Sequence, residues 1–193
     1  NHAAFEIQGR ITRTLCRRLR ELNARIFASE APENVAPAAD EAGVSPGALQ
    51  RGRSSFDYRA FLPVLPLFRN FSAAEVETFA GLTEVLEFGR GQLLFRQGEA
   101  SAACHVVVRG AVEVTGAQNG LRHRIGVLGP GRLCGAIALI EGRPHSLSAI
   151  ARERATLLEI GKAAFDRLFT GDDRIAAKFQ HAINHELLQA LAR

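Results

Sequence analysis

The chain has 193 residues, a net charge of +4, 47% hydrophobic and 23% charged residues, the balance of a globule with one full domain and a few extra helices. No run approaches the roughly 18 apolar residues of a membrane-spanning helix. Three widely spaced cysteines (Cys16, Cys104 and Cys134), with no Cys-x-x-Cys, speak against a disulfide framework or a zinc ribbon.

Two features of composition stand out. Only Lys162 and Lys178 of the 24 basic residues are lysine, and methionine is absent. A chain that begins Asn1-His2 without methionine is expected to be a piece of something longer or a processed product. The first residues carry no charged-then-apolar signal pattern. Residues 1–27 hold six arginines against Glu6 and Glu21, whereas residues 56–193 hold sixteen bases against fourteen acids. A nucleic-acid-binding domain shows a broad basic face. Here the excess is local, so direct nucleic-acid binding is not expected.

In chain order, residues 1–27 form an amphipathic helix. Ile11, Leu15, Leu19, Leu22 and Ile26 recur at spacings of four and three, a seam that needs a partner. Arg10, Arg13, Arg17 and Arg20 recur on another face and are expected in solvent. Residues 28–55, with Pro32, Pro37, Pro46, Gly43, Gly47 and Gly52, have the composition of a linker. A compact unit spans 56–193. Pro63 and Pro66 limit its start to short helical turns, and Ser72-Ala-Ala-Glu75 is a capping box opening a helix through Ala80.

From Thr83 the period changes. Short runs rich in β-branched and apolar residues cover Thr83–Phe88, Gln92–Phe95, Cys104–Val108, Ala111–Thr115, Leu121–Leu128, Leu147–Arg152 and Ala155–Ile160, with glycines between them. Many short strands separated by glycine turns predict a jelly roll, mainly β with flanking helices. Helices return at Lys162–Phe169 and Asp172–Arg193, the latter with Asp172 and Asp173 at its positive end.

Between the strands lies Leu128-Gly-Pro-Gly-Arg-Leu-Cys-Gly-Ala-Ile-Ala-Leu-Ile-Glu-Gly-Arg-Pro-His-Ser-Leu-Ser-Ala-Ile-Ala151, a turn, a short helix and another turn. A short helix opening at Gly135 offers free backbone N–H groups, a generic anion site. Together with Gly91–Glu99, Val107–Val114 and Gly129–Gly135, this segment resembles the cyclic nucleotide-binding domain family, over about Phe61 to Arg193. The resemblance implies a double-stranded β-helix (jelly roll) of the cyclic nucleotide-binding type. It further implies a phosphate-binding cassette at Gly135–Ala151, a cyclic nucleotide (cAMP or cGMP) as ligand, and final helices that relay the signal.

The cassette departs from the family pattern. There a glutamate takes the ribose hydroxyl and an arginine after proline takes the cyclic phosphate; here those positions hold Ala136 and His145. By resemblance the ligand-binding residues are Gly135, Ala136, Ile137, Ala138, His145 and Ser146, with Arg132 and Arg143 as substitute cations. His145 supplies positive charge only when protonated, below an ordinary value near 6.5.

Other constellations carry less. His181 and His185 are one helical turn apart and could chelate a metal, but no third ligand is evident and a solvated or packed pair is expected. His105, His123 and His145 lack the two-apart spacing of a metal-binding cupin strand. Cys134 has no adjacent base to activate it and is expected in the core. No Ser-His-Asp order, P-loop or paired carboxylate stands out, so no enzyme is expected.

The expectation is therefore a cytoplasmic, non-catalytic regulatory module that binds a cyclic nucleotide, or a related anion, weakly or not at all. Its other partners would be further domains of a longer parent chain or a second copy of itself. The alternatives are a ligand-free degenerate roll serving dimerisation or protein contact, and the sensor half of a transcription regulator. Residues 1–27 also look like the closing helix of a second such domain, with Asn23 laid against Asn184.

Overall fold

In the computed structural model, which describes residues 2–29, 35–37, 50–51, 56–118 and 121–192, the change of period near Thr83 becomes the start of a β-roll. Its strands are β1 (Val35–Pro37), β2 (Gln50–Arg51), β3 (Glu84–Phe88), β4 (Leu93–Phe95), β5 (Ala103–Arg109), β6 (Val112–Gln118), β7 (Leu121–Leu128), β8 (Leu133–Cys134), β9 (Ser148–Ala151) and β10 (Ala155–Gly161). They form two antiparallel sheets in the orders β1-β7-β6-β9-β4 and β2-β3-β10-β5-β8. The helices are α1 (His2–Ser29), α2 (Ala73–Ala80), α3 (Ala136–Glu141), α4 (Lys162–Thr170) and α5 (Arg174–Leu191), preceded at α2 by two 3-10 turns, Arg59–Val64 and Pro66–Phe68. This is the predicted jelly roll with flanking helices.

The second sheet is buried on both faces. Leu86, Phe88, Val107, Ala155 and Leu157 point into the roll against Val112, Ala149 and Ala151 of the first sheet. Cys104, Val106, Val108, Leu158 and Ile160 point out against the helices. Their covering layer includes Phe79, Phe165 and Phe179, whose rings meet with centroids 5.6–5.8 Å apart. A strand covered on both sides has no polar face, which is why β5 reads as the run Cys-His-Val-Val-Val rather than as an alternation. Gln180 bridges the helical layer by donating Nε2 to the Phe169 carbonyl.

Helix ends follow their local chemistry. Ser72 accepts from the Glu75 amide while Glu75 accepts from the Ser72 amide, so both halves of the capping box are made. Asp173 caps α5 by accepting from the Ala176 amide at 2.8 Å.

Three details differ from the sequence expectation. α1 packs on α5 and α3, but its buried face is Thr12, Leu15, Cys16, Leu19 and Asn23, while Ile11 is 49% exposed. Small and hydrogen-bonding residues let the helices approach closely, and Thr12 Oγ1 lies 2.6 Å from Asn184 Oδ1. Arg20 is also not in solvent like its neighbours: it is tied to Glu141. Within the expected linker, β1 pairs with β7 and β2 with β3; the remainder of residues 30–55 lies outside the described residues.

Candidate ligand-binding site

The turn after β7 is pinned to β5. Gly131 donates its amide to the Val107 carbonyl at 2.7 Å, and the Val107 amide donates to the Arg132 carbonyl at 3.0 Å. The chain then runs through β8 to Gly135, which has φ +85 and caps α3. A side chain at Gly135 would meet the Phe95 ring at 3.2 Å and the Ala103 carbonyl at 3.3 Å. Glycine answers both the left-handed backbone and the close approach. After α3, the Arg143 amide returns to the Ala138 carbonyl at 3.0 Å.

The second limb of the cassette hangs from the β4–β5 loop. The His145 amide donates to the Glu99 carbonyl at 2.9 Å, and the Gly98 amide donates to the His145 carbonyl at 2.8 Å. Gln97 ties that loop to β6 in turn, through both ends of its carboxamide to Ala117, and its amide donates to Ser148 Oγ.

With its backbone held at both ends, the His145 imidazole lies flat on Phe95, centroids 3.9 Å apart and planes 11° from parallel. The residue is 6% exposed. Burial pushes its pKa down to about 4, with His105 and Arg20 acting in the same sense and Glu99 opposing them. At neutral pH this imidazole is uncharged.

Gly135, Ala136, Ile137, Ala138, His145 and Ser146 all border one cavity of about 310 Å³. The roll supplies Phe95, Val114 and Ile125–Leu128; α1 supplies Leu19, Leu22, Asn23 and Ile26; α5 supplies Ile183, Glu186, Leu187 and Ala190. Arg132 also borders it, with Nε 2.6 Å from Glu186 Oε2 and both side chains largely buried. Arg143 lies elsewhere, in a surface depression with Arg13, Thr14, Arg17, Ile140 and Glu141. The structure thus brings together the cassette residues and Arg132, and separates Arg143 from them.

Residues 85–172 match the family model of the cyclic nucleotide-binding domain. Over these residues the roll is similar to the cyclic nucleotide-binding domain family. A cAMP-dependent protein kinase regulatory subunit of Mycosarcoma maydis is 30% identical over 116 residues, covering 58% of this chain and 22% of that protein. The cyclic AMP receptor protein of Thermus thermophilus is 29% identical over 129 residues, covering 66% and 56%. The regulatory domain of Toxoplasma gondii PKA, solved with cAMP, superposes with a TM-score of 0.56 at 20% identity, covering 70% of this chain and 48% of that one. The chain spans between 22% and 28% of the length of the first three curated relatives it matches, all cAMP-dependent protein kinase regulatory subunits.

Three participants escape sequence reasoning. Asn23 is a polar residue one turn beyond Leu19 on an apolar seam, a signal that was present but ambiguous. Arg20 sits in an arginine stripe and looks like its neighbours. Phe95 ends a strand and gives no hint that its ring will carry His145.

The three thiols are buried. Burial pushes the Cys16 and Cys134 thiols up to about 12 and Cys104 well above its ordinary value. They are packing residues rather than nucleophiles. His181 and His185 lie on the exposed side of α5. Among the described residues no three His, Cys, Asp or Glu side chains are grouped to hold a metal, and no helix is long and apolar enough to cross a membrane.

Proposed function

We propose that this chain is a non-catalytic regulatory module of the cyclic nucleotide-binding fold whose cavity binds cAMP and cGMP weakly or not at all. The observation that carries this is the state of His145. It stands where the family pattern has the phosphate-binding arginine, yet its ring is stacked on Phe95, buried and uncharged at neutral pH. The other cation at the cavity, Arg132, is matched by Glu186. A cyclic phosphate entering here would find no free positive charge among the described lining residues, and Ala136 offers no carboxylate to a ribose hydroxyl.

The magnitudes favour this reading. Losing one partner of a buried, hydrogen-bonded charge pair costs about 2–5 kcal/mol, and each 1.4 kcal/mol or so is tenfold in Kd. A micromolar cAMP site stripped of its arginine therefore moves towards millimolar. The role that remains for the fold is to couple the contents of the cavity to α1 and α5, which form one side of its wall.

Calorimetry and thermal melts test this. The native chain is expected to show no saturable heat with cAMP or cGMP below about 1 mM. Ala136→Glu with His145→Arg is expected to strengthen cAMP binding about thirtyfold or more. Micromolar cAMP binding by the native chain would overturn the reading.

A further inference from the structure

The cavity has a consistent chemistry that the likeness to that family does not supply. Leu19, Leu22, Ile26, Val114, Ile137 and Leu187 give it an apolar wall. The charges at its edge cancel in the Arg132–Glu186 pair. Into this wall α1 projects one group out of keeping with it. Asn23 is only 5% exposed and borders the cavity, yet its carboxamide has no hydrogen-bond partner among the described residues.

A carboxamide that faces an apolar wall with no protein partner carries a cost. It presents a donor and an acceptor side by side, and a ligand group that answers both would recover that cost. Size narrows the choice. A cavity of about 150 Å³ takes one benzene ring, and this one measures about 310 Å³, room for two fused rings.

We propose that the cavity is the binding site of an uncharged, mostly apolar molecule of about two fused rings, whose one polar edge pairs a donor and an acceptor with the Asn23 carboxamide. This rests on the reading of the chain as a regulatory module without an anion site. It adds the class of ligand and the residue that selects it. The N-terminal helix, rather than the cassette, supplies the selective contact.

The probe is carbostyril, a benzo-fused lactam with adjacent N–H and C=O groups; naphthalene is its counterpart without them. Titration calorimetry and melting curves on the whole chain are expected to show saturable carbostyril binding with a raised Tm. Naphthalene should bind about tenfold more weakly, the worth of a hydrogen-bonded edge. Asn23→Leu keeps the size of the side chain and removes an unpaired polar group, so the variant should melt no lower than the native chain while losing about tenfold in carbostyril affinity. Gly126 is paired with Val114 across the sheet and a Cβ there would meet no heavy atom within 4 Å, so Gly126→Leu fills the cavity and should abolish binding of both probes in a folded chain.

Failure of folded native chain to bind carbostyril, equal binding of the two probes, or an unchanged affinity in Asn23→Leu would each overturn the proposal. cAMP is titrated alongside. Its tight binding would overturn the earlier reading, whereas absence of both cAMP and carboxamide-dependent carbostyril binding would overturn this proposal alone.

Discussion

Arg20 Nε on α1 lies 2.6 Å from Glu141 Oε2 at the C-terminal end of α3. The same guanidinium donates Nη1 and Nη2 to the Pro144 carbonyl, at 3.3 and 3.4 Å, just before His145. One side chain from the first helix therefore holds both limbs of the cassette. With 19% and 10% side-chain exposure, the ion pair is shielded enough to matter, unlike the exposed pairs on the surface.

Arg20→Met is expected to destabilise the chain by about 2–4 kcal/mol, because it leaves the Glu141 carboxylate largely buried without its cation. Glu141→Gln, which keeps an acceptor, should cost less. Urea unfolding of the two single variants and the double variant gives the coupling energy directly. Additive effects would show that α1 is held to the cassette by packing alone.

The stacked His145 makes stability depend on pH with a defined sign. Its folded pKa is about 4, below the unfolded value near 6.5. Above pH 6.5 or so both states are neutral and its contribution is complete. As pH falls from there towards 4 the unfolded state gains a proton that the folded state refuses, and stability declines. The loss should be about 3 kcal/mol, measured as the difference between the native chain and His145→Phe, which keeps the stack and cannot titrate. Parallel pH–stability curves for the two proteins would mean that the ring charges freely in place.

Phe27, near the end of α1, rests on β6 at a strand glycine. A Cβ on Gly116 would fall 2.1 Å from Phe27 Cζ, and the same ring meets His123 at 5.2 Å. Gly116→Ala should cost about 1–3 kcal/mol, as overpacking does. In a Phe27→Ala background the same substitution should be nearly neutral, since no positive φ is involved. Differential scanning calorimetry of the four proteins decides it; an equal cost in both backgrounds would place the strain in the strand.

Much of the roll was legible because its signals are local. The capping box at Ser72, the start of α4 after Gly161 and the apolar runs of β3, β5 and β10 each depend on neighbouring residues in sequence. What was not legible depends on partners far away. β8 is two residues long and exists because His105 and Val106 of β5 pair with Cys134 and Leu133. The buried face of α1 turns away from Ile11 because Asn184 lies across from Thr12. In the candidate site, the glycine framework and the substitutions at Ala136 and His145 could be read directly. That His145 would lie on Phe95 is a product of tertiary packing with no local trace, and Asn23 left only the ambiguous sign of a polar residue on an apolar seam.

α1 and α5 come from opposite ends of the described chain and share the wall of one cavity. A pull that draws these helices apart opens the cavity. A molecule that fills it resists the pull, and linkage makes the two effects equal in free energy. A ligand held between α1 and α5 would thus bind more weakly whenever a load separates those helices.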